Sequence, residues 1–263
     1  MARMKPTSIL TVLSIMVIAT ILLMPNGLAY ATHAIPTSGD DVLVGHNDKA
    51  DKINGGNGDD IISGLAGKDN LDGGNGSDEI FGGPGRDNIQ GGNDNDYLDG
   101  GDGADSVRGG AGDDQLFLGT GNDVLGDGGD GNDDIDGGTG NDILKGGEGN
   151  DYLDGGSGND SMTGDAGNDV LDGKDGNDNL SGGSGTWNYM TGGKGNDTIT
   201  GGGSLISNPI NIIDGGEGGE SGTIKDKCIW DGGVGHVNFP GTVNEFTGND
   251  IIVPGTCETI IIG

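Results

Sequence analysis

The sequence predicts an all-β fold, a solenoid built from stacked nine-residue units. Two observations support this prediction: an extreme composition and a strict internal period. Glycine accounts for 62 of the 263 residues, acidic residues outnumber basic residues by 43 to 12, and only 30% of the residues are hydrophobic. Without a period, such a chain would be disordered, because it buries too little apolar surface to offset its conformational entropy. The period therefore decides between a folded and a disordered chain.

The repeating unit has nine residues and reads G-G-x-G-x-D-x-U-x, where U is hydrophobic. The pattern starts at Gly55 with GGNGDDIIS, GLAGKDNLD and GGNGSDEIF, and it continues through GKDGNDNLS with one inserted residue at Asp127. A ten-residue variant runs from Gly182 to Thr191, and one more regular unit, GGKGNDTIT, begins at Gly192. Short units of this kind bury their apolar side chains only by stacking on their neighbours, as in solenoids.

Two positions of the unit are invariant in type across fifteen copies. Position six carries Asp60, Asp69, Asp78, Asp87, Asp96, Asp105, Asp114, Asp123, Asp133, Asp142, Asp151, Asp160, Asp169, Asp178 and Asp197. Position eight carries Ile62, Leu71, Ile80, Ile89, Leu98, Val107, Leu116, Leu125, Ile135, Leu144, Leu153, Met162, Leu171, Leu180 and Ile199. Because only the middle of the last three residues is reliably apolar, each unit predicts a very short strand with one side chain inward and two outward.

The first six residues of the unit predict a calcium site. Position six supplies a carboxylate oxygen, and the glycines at positions one, two and four suit a turn with positive φ angles and exposed carbonyl oxygens. Such oxygens are the ligands that Ca²⁺ prefers, whereas zinc needs Cys or His, which the repeats lack. A single aspartate in a glycine-rich turn is more often a turn former that bonds to its own backbone. Fifteen in register favour a row of ligands instead.

These units resemble the RTX, or hemolysin-type, calcium-binding nonapeptide repeats over roughly residues 55–200. The resemblance implies a right-handed parallel β-roll in which six residues form a calcium-binding turn, three form a strand, and two units complete one turn of the roll. Alternate aspartates then stack along two edges. We expect one edge to carry Asp60, Asp78, Asp96, Asp114, Asp133, Asp151 and Asp169, and the other Asp69, Asp87, Asp105, Asp123, Asp142, Asp160, Asp178 and Asp197.

Folding of this roll is expected to require several Ca²⁺ ions. Successive aspartates on one edge lie about 5 Å apart at the spacing of neighbouring strands. Two carboxylates at that distance repel each other by about 3 kcal/mol at an effective dielectric constant of 20. A divalent cation between them reverses the sign of this interaction, so calcium binding and folding are coupled.

Some units depart from the pattern, and each departure is expected to weaken its own site. The glycine of position two is replaced in three units, that of position four in one and that of position one in one; the replacing residues are Leu65, Asp165, Lys174, Asp94 and Leu118. In the ten-residue variant Asn188 takes the ligand position and Met190 the core position, and a neutral ligand predicts weak binding. Trp187 and Tyr189 beside them form either an exposed patch for a partner or local packing over a bulge.

The two ends of the chain differ from the repeats. Residues 1–31 have the charged, apolar and small-residue order of a secretory signal peptide, with an uncleaved membrane anchor as the alternative. Residues 32–54 contain degenerate copies and are expected to form an N-terminal cap. Residues 201–263, where the register is lost, are expected to form an irregular C-terminal β cap. A disulfide between Cys228 and Cys257 is expected in a secreted protein.

The pattern favours a secreted, calcium-binding structural or adhesive protein, not an enzyme. His33, His46 and His236 are isolated, and no catalytic motif accompanies them. One alternative is the non-catalytic tail of an extracellular enzyme or toxin-like system; another is a disordered polyanion, which would not need a hydrophobic position eight. A net charge of −31 argues against nucleic acid and anionic lipid. The expected partners are calcium ions and an extracellular polymer, with no membrane span after signal cleavage.

Overall fold

A computed structural model describes residues 38–200 except residue 186, together with the backbone of seven short strands between residues 210 and 262. All of the described elements are β-strands, and apart from one short antiparallel pair near the C-terminus they pair in parallel, forming a β-solenoid of about nine turns. This confirms the all-β prediction. The part of the chain that is described contains no helix long and apolar enough to cross a bilayer. The predicted signal peptide lies outside the described residues.

One face of the solenoid, sheet 1, is formed by every second strand. In order, it contains β1 (Val42–Val44), β3 (Ile61–Ser63), β5 (Glu79–Gly85), β7 (Tyr97–Gly103), β9 (Gln115–Phe117), β12 (Asp134–Asp136), β14 (Tyr152–Asp154), β16 (Val170–Asp172), β18 (Trp187–Thr191), β21 (Ile210–Asp214) and β26 (Ile251–Ile252). The short strand β10 (Thr120–Gly121) pairs with β7 beside this path.

The opposite face, sheet 2, alternates with it along the chain. It contains β2 (Lys52–Asn57), β4 (Asn70–Asn75), β6 (Asn88–Asn93), β8 (Ser106–Ala111), β11 (Leu125–Asp130), β13 (Ile143–Glu148), β15 (Ser161–Ala166), β17 (Asn179–Ser181), β20 (Thr198–Thr200), β23 (Lys227–Trp230) and β27 (Thr259–Ile262). Two short pairs complete the strands: β19 (Lys194–Gly195) with β22 (Glu217–Gly218), and β24 (His236–Phe239) with β25 (Thr242–Glu245).

The register confirms that two units make one turn of the solenoid. Ile62 of β3 pairs with Ile80 of β5, two units later, and Ile80 pairs with Leu98 of β7. Position eight therefore stacks on position eight throughout most of the roll. These side chains fill the narrow space between the sheets. All but one of the predicted set are at most 2% exposed to solvent.

The exception is Leu125, which does not point into the core. Gly126 takes the inward position, paired with Val107 on one side and Leu144 on the other, and Leu125 is displaced to an outward position. The sequence pattern predicts that the extra residue is Asp127, but the register places it just after Asp123. Leu118 compensates for the missing side chain: it is fully buried, and its Cδ1 atom would lie 2.9 Å from a Cβ on Gly126.

The glycines of the turn are needed for two different reasons. At position two φ is positive in every unit, and the substitutes Leu65, Asp165 and Lys174 adopt φ values of 68°, 64° and 67°. Asp94 at position four has a φ of 73°. This left-handed region is unfavourable for residues with a Cβ, least so for Asp. Position one does not adopt positive φ, contrary to the prediction from the sequence, and its glycine is required by lack of space.

The degenerate units at both ends continue the stack. At the N-terminal end, Leu43 pairs with Ile62, and Ile53 pairs with Leu71 in the core. Beyond residue 200, β21 and β26 extend sheet 1, whereas β23 and β27 extend sheet 2. The β-branched segments of the tail therefore pair with the preceding strands of the two sheets. The cysteine pair falls outside the residues whose side chains are described.

Candidate metal centres

All fifteen position-six aspartates line the inside of the two solenoid edges. Each is exposed by 3% or less. The repeating unit has no basic position that could neutralise their charge. The aspartates stack in the two predicted rows, because the backbone N–H of all but Asp169 and Asp197 donates to the carboxylate of the aspartate two units later. The N–H of Asp123, for example, donates to Oδ1 of Asp142 at 2.7 Å, and the N–H of Asp142 donates to Oδ1 of Asp160 at 2.9 Å.

The second carboxylate oxygen of these side chains has no donor. In the fourteen aspartates from Asp60 to Asp178, Oδ2 is buried and accepts no hydrogen bond. A buried polar atom without a partner is costly, and a buried carboxylate oxygen more so. This set of fourteen buried oxygens at one position of the unit is therefore the feature of the roll that calls for a positively charged ligand.

The position-one glycine makes room for this oxygen. A Cβ on Gly146 would lie 2.3 Å from Oδ2 of Asp151 in the same unit and 2.7 Å from the carbonyl oxygen of Gly164 in the next turn. The same collision recurs at Gly55, where the distance to Oδ2 of Asp60 would be 2.2 Å. Position one thus brings a carboxylate oxygen and a backbone carbonyl oxygen into the same small space.

Burial makes these carboxyl groups weak acids. Burial raises the pKa of Asp96 to about 8 and that of Asp142 to about 7, although the backbone N–H groups that they accept from act in the opposite direction. The neighbouring carboxylates of the stack raise both values further. Without a cation, the ionised form of the row is therefore unfavourable near neutral pH.

In the presence of a chelator, we expect β-structure to decrease as the pH is raised from about 5 to about 8. Because the folded pKa values of Asp78, Asp142 and Asp96 are raised to about 6, 7 and 8, the folded chain binds more protons than the unfolded chain in this window. The stability that protonation contributes is complete below the unfolded pKa and is lost as the pH passes the folded values. Circular dichroism at constant ionic strength measures this. A β-signal that increases with pH would contradict the assignment.

Position five forms a second stack, for which the sequence pattern had suggested no role. The backbone N–H of Asn159 donates to Oδ1 of Asn141 at 2.7 Å, and its Nδ2 donates to the same oxygen at 3.0 Å. Asparagines at this position continue the ladder along the same edge, where its members are Asn122, Asn141, Asn159, Asn177 and Asn196. In the sequence, this ladder is indicated by the Gly-Asn-Asp triplet that recurs at positions four to six of the unit. The ladder fixes the spacing of the adjacent aspartates.

The acidic side chain of Asp154, at position nine, is not the isolated surface charge that its position suggests. Lys174 contacts both Asp154, at 3.3 Å, and Asp172 on the outer face of sheet 1. The left-handed position-two residue therefore bridges two stacked carboxylates. Substitutions at Asp154 change this ion pair as well as the net charge.

A parallel roll that buries one under-satisfied carboxylate per unit defines a cation-binding β-roll. The model of the RTX calcium-binding nonapeptide repeat (4 copies) matches residues 37–71, 47–80, 72–107, 90–125, 127–162, 154–186 and 187–204. These segments cover more than half of the chain and leave out residue 126, where the structure has its irregular unit. The chain therefore belongs to the RTX family, whose repeats form calcium-binding β-rolls. Comparison with curated proteins gives no match.

Proposed function

We propose that the fifteen position-six aspartates are calcium ligands and that the chain folds by binding several Ca²⁺ ions along both edges. The observation that carries the proposal is the row of buried Oδ2 atoms without hydrogen-bond donors. Oδ1 of each aspartate holds the preceding turn in register, which leaves Oδ2 directed at the cation. One oxygen of each side chain thus stabilises the stacking of the turns, and the other is available to bind calcium.

The available ligand atoms match calcium better than other metals. The repeats contain no His or Cys between residues 55 and 200. Among the described residues, no three His, Cys, Asp or Glu side chains converge on one point. A site at position six is therefore completed by backbone carbonyl oxygens, such as that of the position-one glycine. Bound calcium supplies positive charge to the buried carboxylates, and a mixed carboxylate and carbonyl set suits its flexible coordination.

Replacing Asp142 with Asn is expected to reduce the amount and the cooperativity of calcium binding. The substitution preserves an oxygen that can accept the hydrogen bond of Asp123 but removes one buried negative charge. Asp130→Asn is the matched control, because Asp130 has the same chemistry at the exposed position three. Calorimetric titration should show a clear loss of affinity for Asp142→Asn and little change for Asp130→Asn, whose charge is screened by solvent.

Equal losses in the two variants would mean that bulk negative charge, and not position six, attracts calcium. Loss of folding in Asp142→Asn even at saturating Ca²⁺ would make the side chain a structural element only. Circular dichroism at high calcium concentration separates this outcome from a binding defect. The proposal requires that the variant folds and binds less calcium.

The fold and the signal-like N-terminus support a secreted location and a structural or adhesive role. RTX repeats are typical of extracellular proteins, where free calcium is plentiful. We further propose that residues 1–31 are a signal peptide, residues 32–54 an N-terminal cap, residues 55–200 the calcium-binding roll and residues 201–263 a C-terminal cap. The role is non-catalytic; the tail of an extracellular enzyme or toxin-like system is the second candidate, supported by the family resemblance.

An aromatic face supports an adhesive role. All six aromatic residues between positions 55 and 200 lie on strands of sheet 1: Phe81, Tyr97, Phe117, Tyr152, Trp187 and Tyr189. The ring of Tyr97 packs between two others at centroid distances of 5.8 and 5.3 Å. Trp187 and Tyr189 are 44% and 37% exposed, which favours a partner surface over packing under a bulge. Rigid, exposed rings are typical of binding surfaces.

Calcium-dependent adhesion to polysaccharide is therefore expected to depend on this face. Cosedimentation with cellulose and chitin particles in millimolar calcium should retain the native chain, and Trp187→Ala should weaken retention. Ile143→Ala is the control, because Ile143 is similarly exposed, at 44%, but lies on sheet 2. If neither particle retains the native chain, the polysaccharide partner is wrong while the calcium proposal stands.

A further inference from the structure

One turn of the roll is closed by a protein amide at the position where the aspartates from Asp60 to Asp178 have an unpaired Oδ2. Asn188 occupies position six of its unit and is 1% exposed. Its Oδ1 accepts the backbone N–H of Asp169 at 2.8 Å, as the aspartates do in their turns. Its Nδ2, the counterpart of Oδ2, donates to the carbonyl oxygen of Gly182 at 3.0 Å. Every polar atom of the Asn188 side chain therefore has a partner within the protein.

A comparable arrangement closes the first turn of the opposite edge. Asp51 stacks on Asp69 as a position-six residue, and Gly45 lies beside its Oδ2 in the manner of a position-one glycine. The backbone N–H of His46 donates to Oδ2 of Asp51 at 2.5 Å, and His46 Nδ1 lies 3.0 Å from Oδ1. Because a carboxylate only accepts hydrogen bonds, Nδ1 is the donor. Asp51 is thus satisfied on both oxygens by one histidine.

These contacts show what an internal turn lacks. At Asn188 the side-chain nitrogen faces the position-one carbonyl oxygen and bonds to it. In an aspartate unit the corresponding atom is Oδ2, which cannot donate a hydrogen bond when the side chain is ionised and which has no donor of its own in the aspartates from Asp60 to Asp178. Such a buried oxygen needs a cation beside it, whereas the amide needs none. The difference between Asn and Asp at position six therefore decides whether the turn depends on metal.

We infer that the turns that end at Asp51 and Asn188 are closed without calcium and form metal-independent turns on either side of the fourteen calcium-type aspartates from Asp60 to Asp178, with Asp197 beyond the second of them. The inference rests on the proposed calcium role of the aspartates between them. In a solenoid, each unit is stabilised by its neighbours, and an ordered end provides a surface on which the next unit folds. At the C-terminal end, β18 also pairs with β21, so the Asn188 turn is attached to strands outside the repeats.

Hydrogen exchange in chelator tests this inference on the unmodified chain. The segments of residues 45–53 and 182–190 should exchange more slowly than the internal segment of residues 146–153, which contains the calcium-type residue Asp151. Exchange of all three segments at the same rate in chelator would overturn the inference. This measurement needs no variant, so it remains decisive even if a substituted chain fails to fold.

Asn188→Asp converts the amide-closed turn into the calcium-type turn. In chelator, exchange of residues 182–190 should rise by about tenfold or more, because a buried acceptor loses its donor. The variant should also need a higher calcium concentration than the native chain before residues 182–190 are protected from exchange. Asn179→Asp is the control: it adds the same charge at an exposed, outward-facing position of the neighbouring strand β17, where Asp134 occurs in another unit. It should change exchange less than twofold.

The two proposals fail in different ways. Equal effects of Asn188→Asp and Asn179→Asp, in a chain that still folds with calcium, would overturn the amide-closed turn and leave the calcium ligands intact. A native chain whose exchange is the same in chelator and in calcium would overturn the proposed function itself.

Discussion

Removal of calcium is expected to unfold most of the roll, and this is the largest effect that the structure predicts. Fourteen buried carboxylate oxygens without donors would remain in the core of a calcium-free roll, and successive carboxylates on one edge would repel each other. Each unit has only one inward hydrophobic side chain to oppose this cost. The far-ultraviolet circular dichroism spectrum should therefore change cooperatively from disordered to β as calcium rises through about 10⁻⁴ to 10⁻³ M.

Magnesium provides the selectivity control for this experiment. Mg²⁺ prefers a compact octahedron and loses its water reluctantly, so it should not replace calcium at the same concentration. Equal folding in magnesium would indicate charge screening, because screening depends on ionic strength and not on ligand geometry. Identical spectra in EDTA and in millimolar calcium would contradict coupled folding altogether.

Leu118→Ala is expected to destabilise the calcium-bound roll by about 2 to 5 kcal/mol, the usual range for truncating a buried leucine. Leu118 fills the core beside Gly126, which has no side chain of its own at the inward position. No neighbouring side chain is available to fill the resulting cavity in a core one residue wide. Urea unfolding at saturating calcium, monitored by circular dichroism, measures the loss.

A double substitution shows whether Leu118 and Gly126 compensate for each other. Gly126→Leu alone should also destabilise the roll, because a Cβ at this position would lie 2.9 Å from Leu118 and 3.1 Å from Leu144. Leu118→Gly with Gly126→Leu restores the consensus at both positions and should cost much less than the sum of the single substitutions. Additive losses would show that Leu118 does not replace the missing core residue.

Much of the fold follows from features that repeat locally. The hydrophobic position eight and the aspartate at position six predict strands and a ligand row, and the structure stacks both in the expected two-unit register. Even Asn188 and Met190 are placed correctly from their spacing. These predictions succeed because a nine-residue unit has few conformations that bury one side chain and direct one carboxylate inward.

The irregular unit shows where local pattern stops being informative. In the sequence, Leu125 matches position eight and Leu118 breaks position one, so the pattern assigns the first to the core and treats the second as a defect. The structure reverses both roles. Only the adjacent turns decide this, because the volume to be filled lies between Val107 and Leu144, which are distant from Leu118 in the chain.

The sequence by itself determined the repeat, the period-two strands and the suitability of position six for calcium, and its resemblance to RTX repeats implied the two rows of aspartates. Tertiary structure alone decided which atoms are satisfied. It gives Oδ1 of the aspartates from Asp60 to Asp178 to the neighbouring turn and leaves their Oδ2 unpaired, but it closes the turns of Asp51 and Asn188 with protein donors. The physical reason is that the donors to Oδ1 come from residues about eighteen positions away, which only stacking brings together. The partners that close the turns of Asp51 and Asn188 lie within the same turn, and the folded turn decides whether they meet.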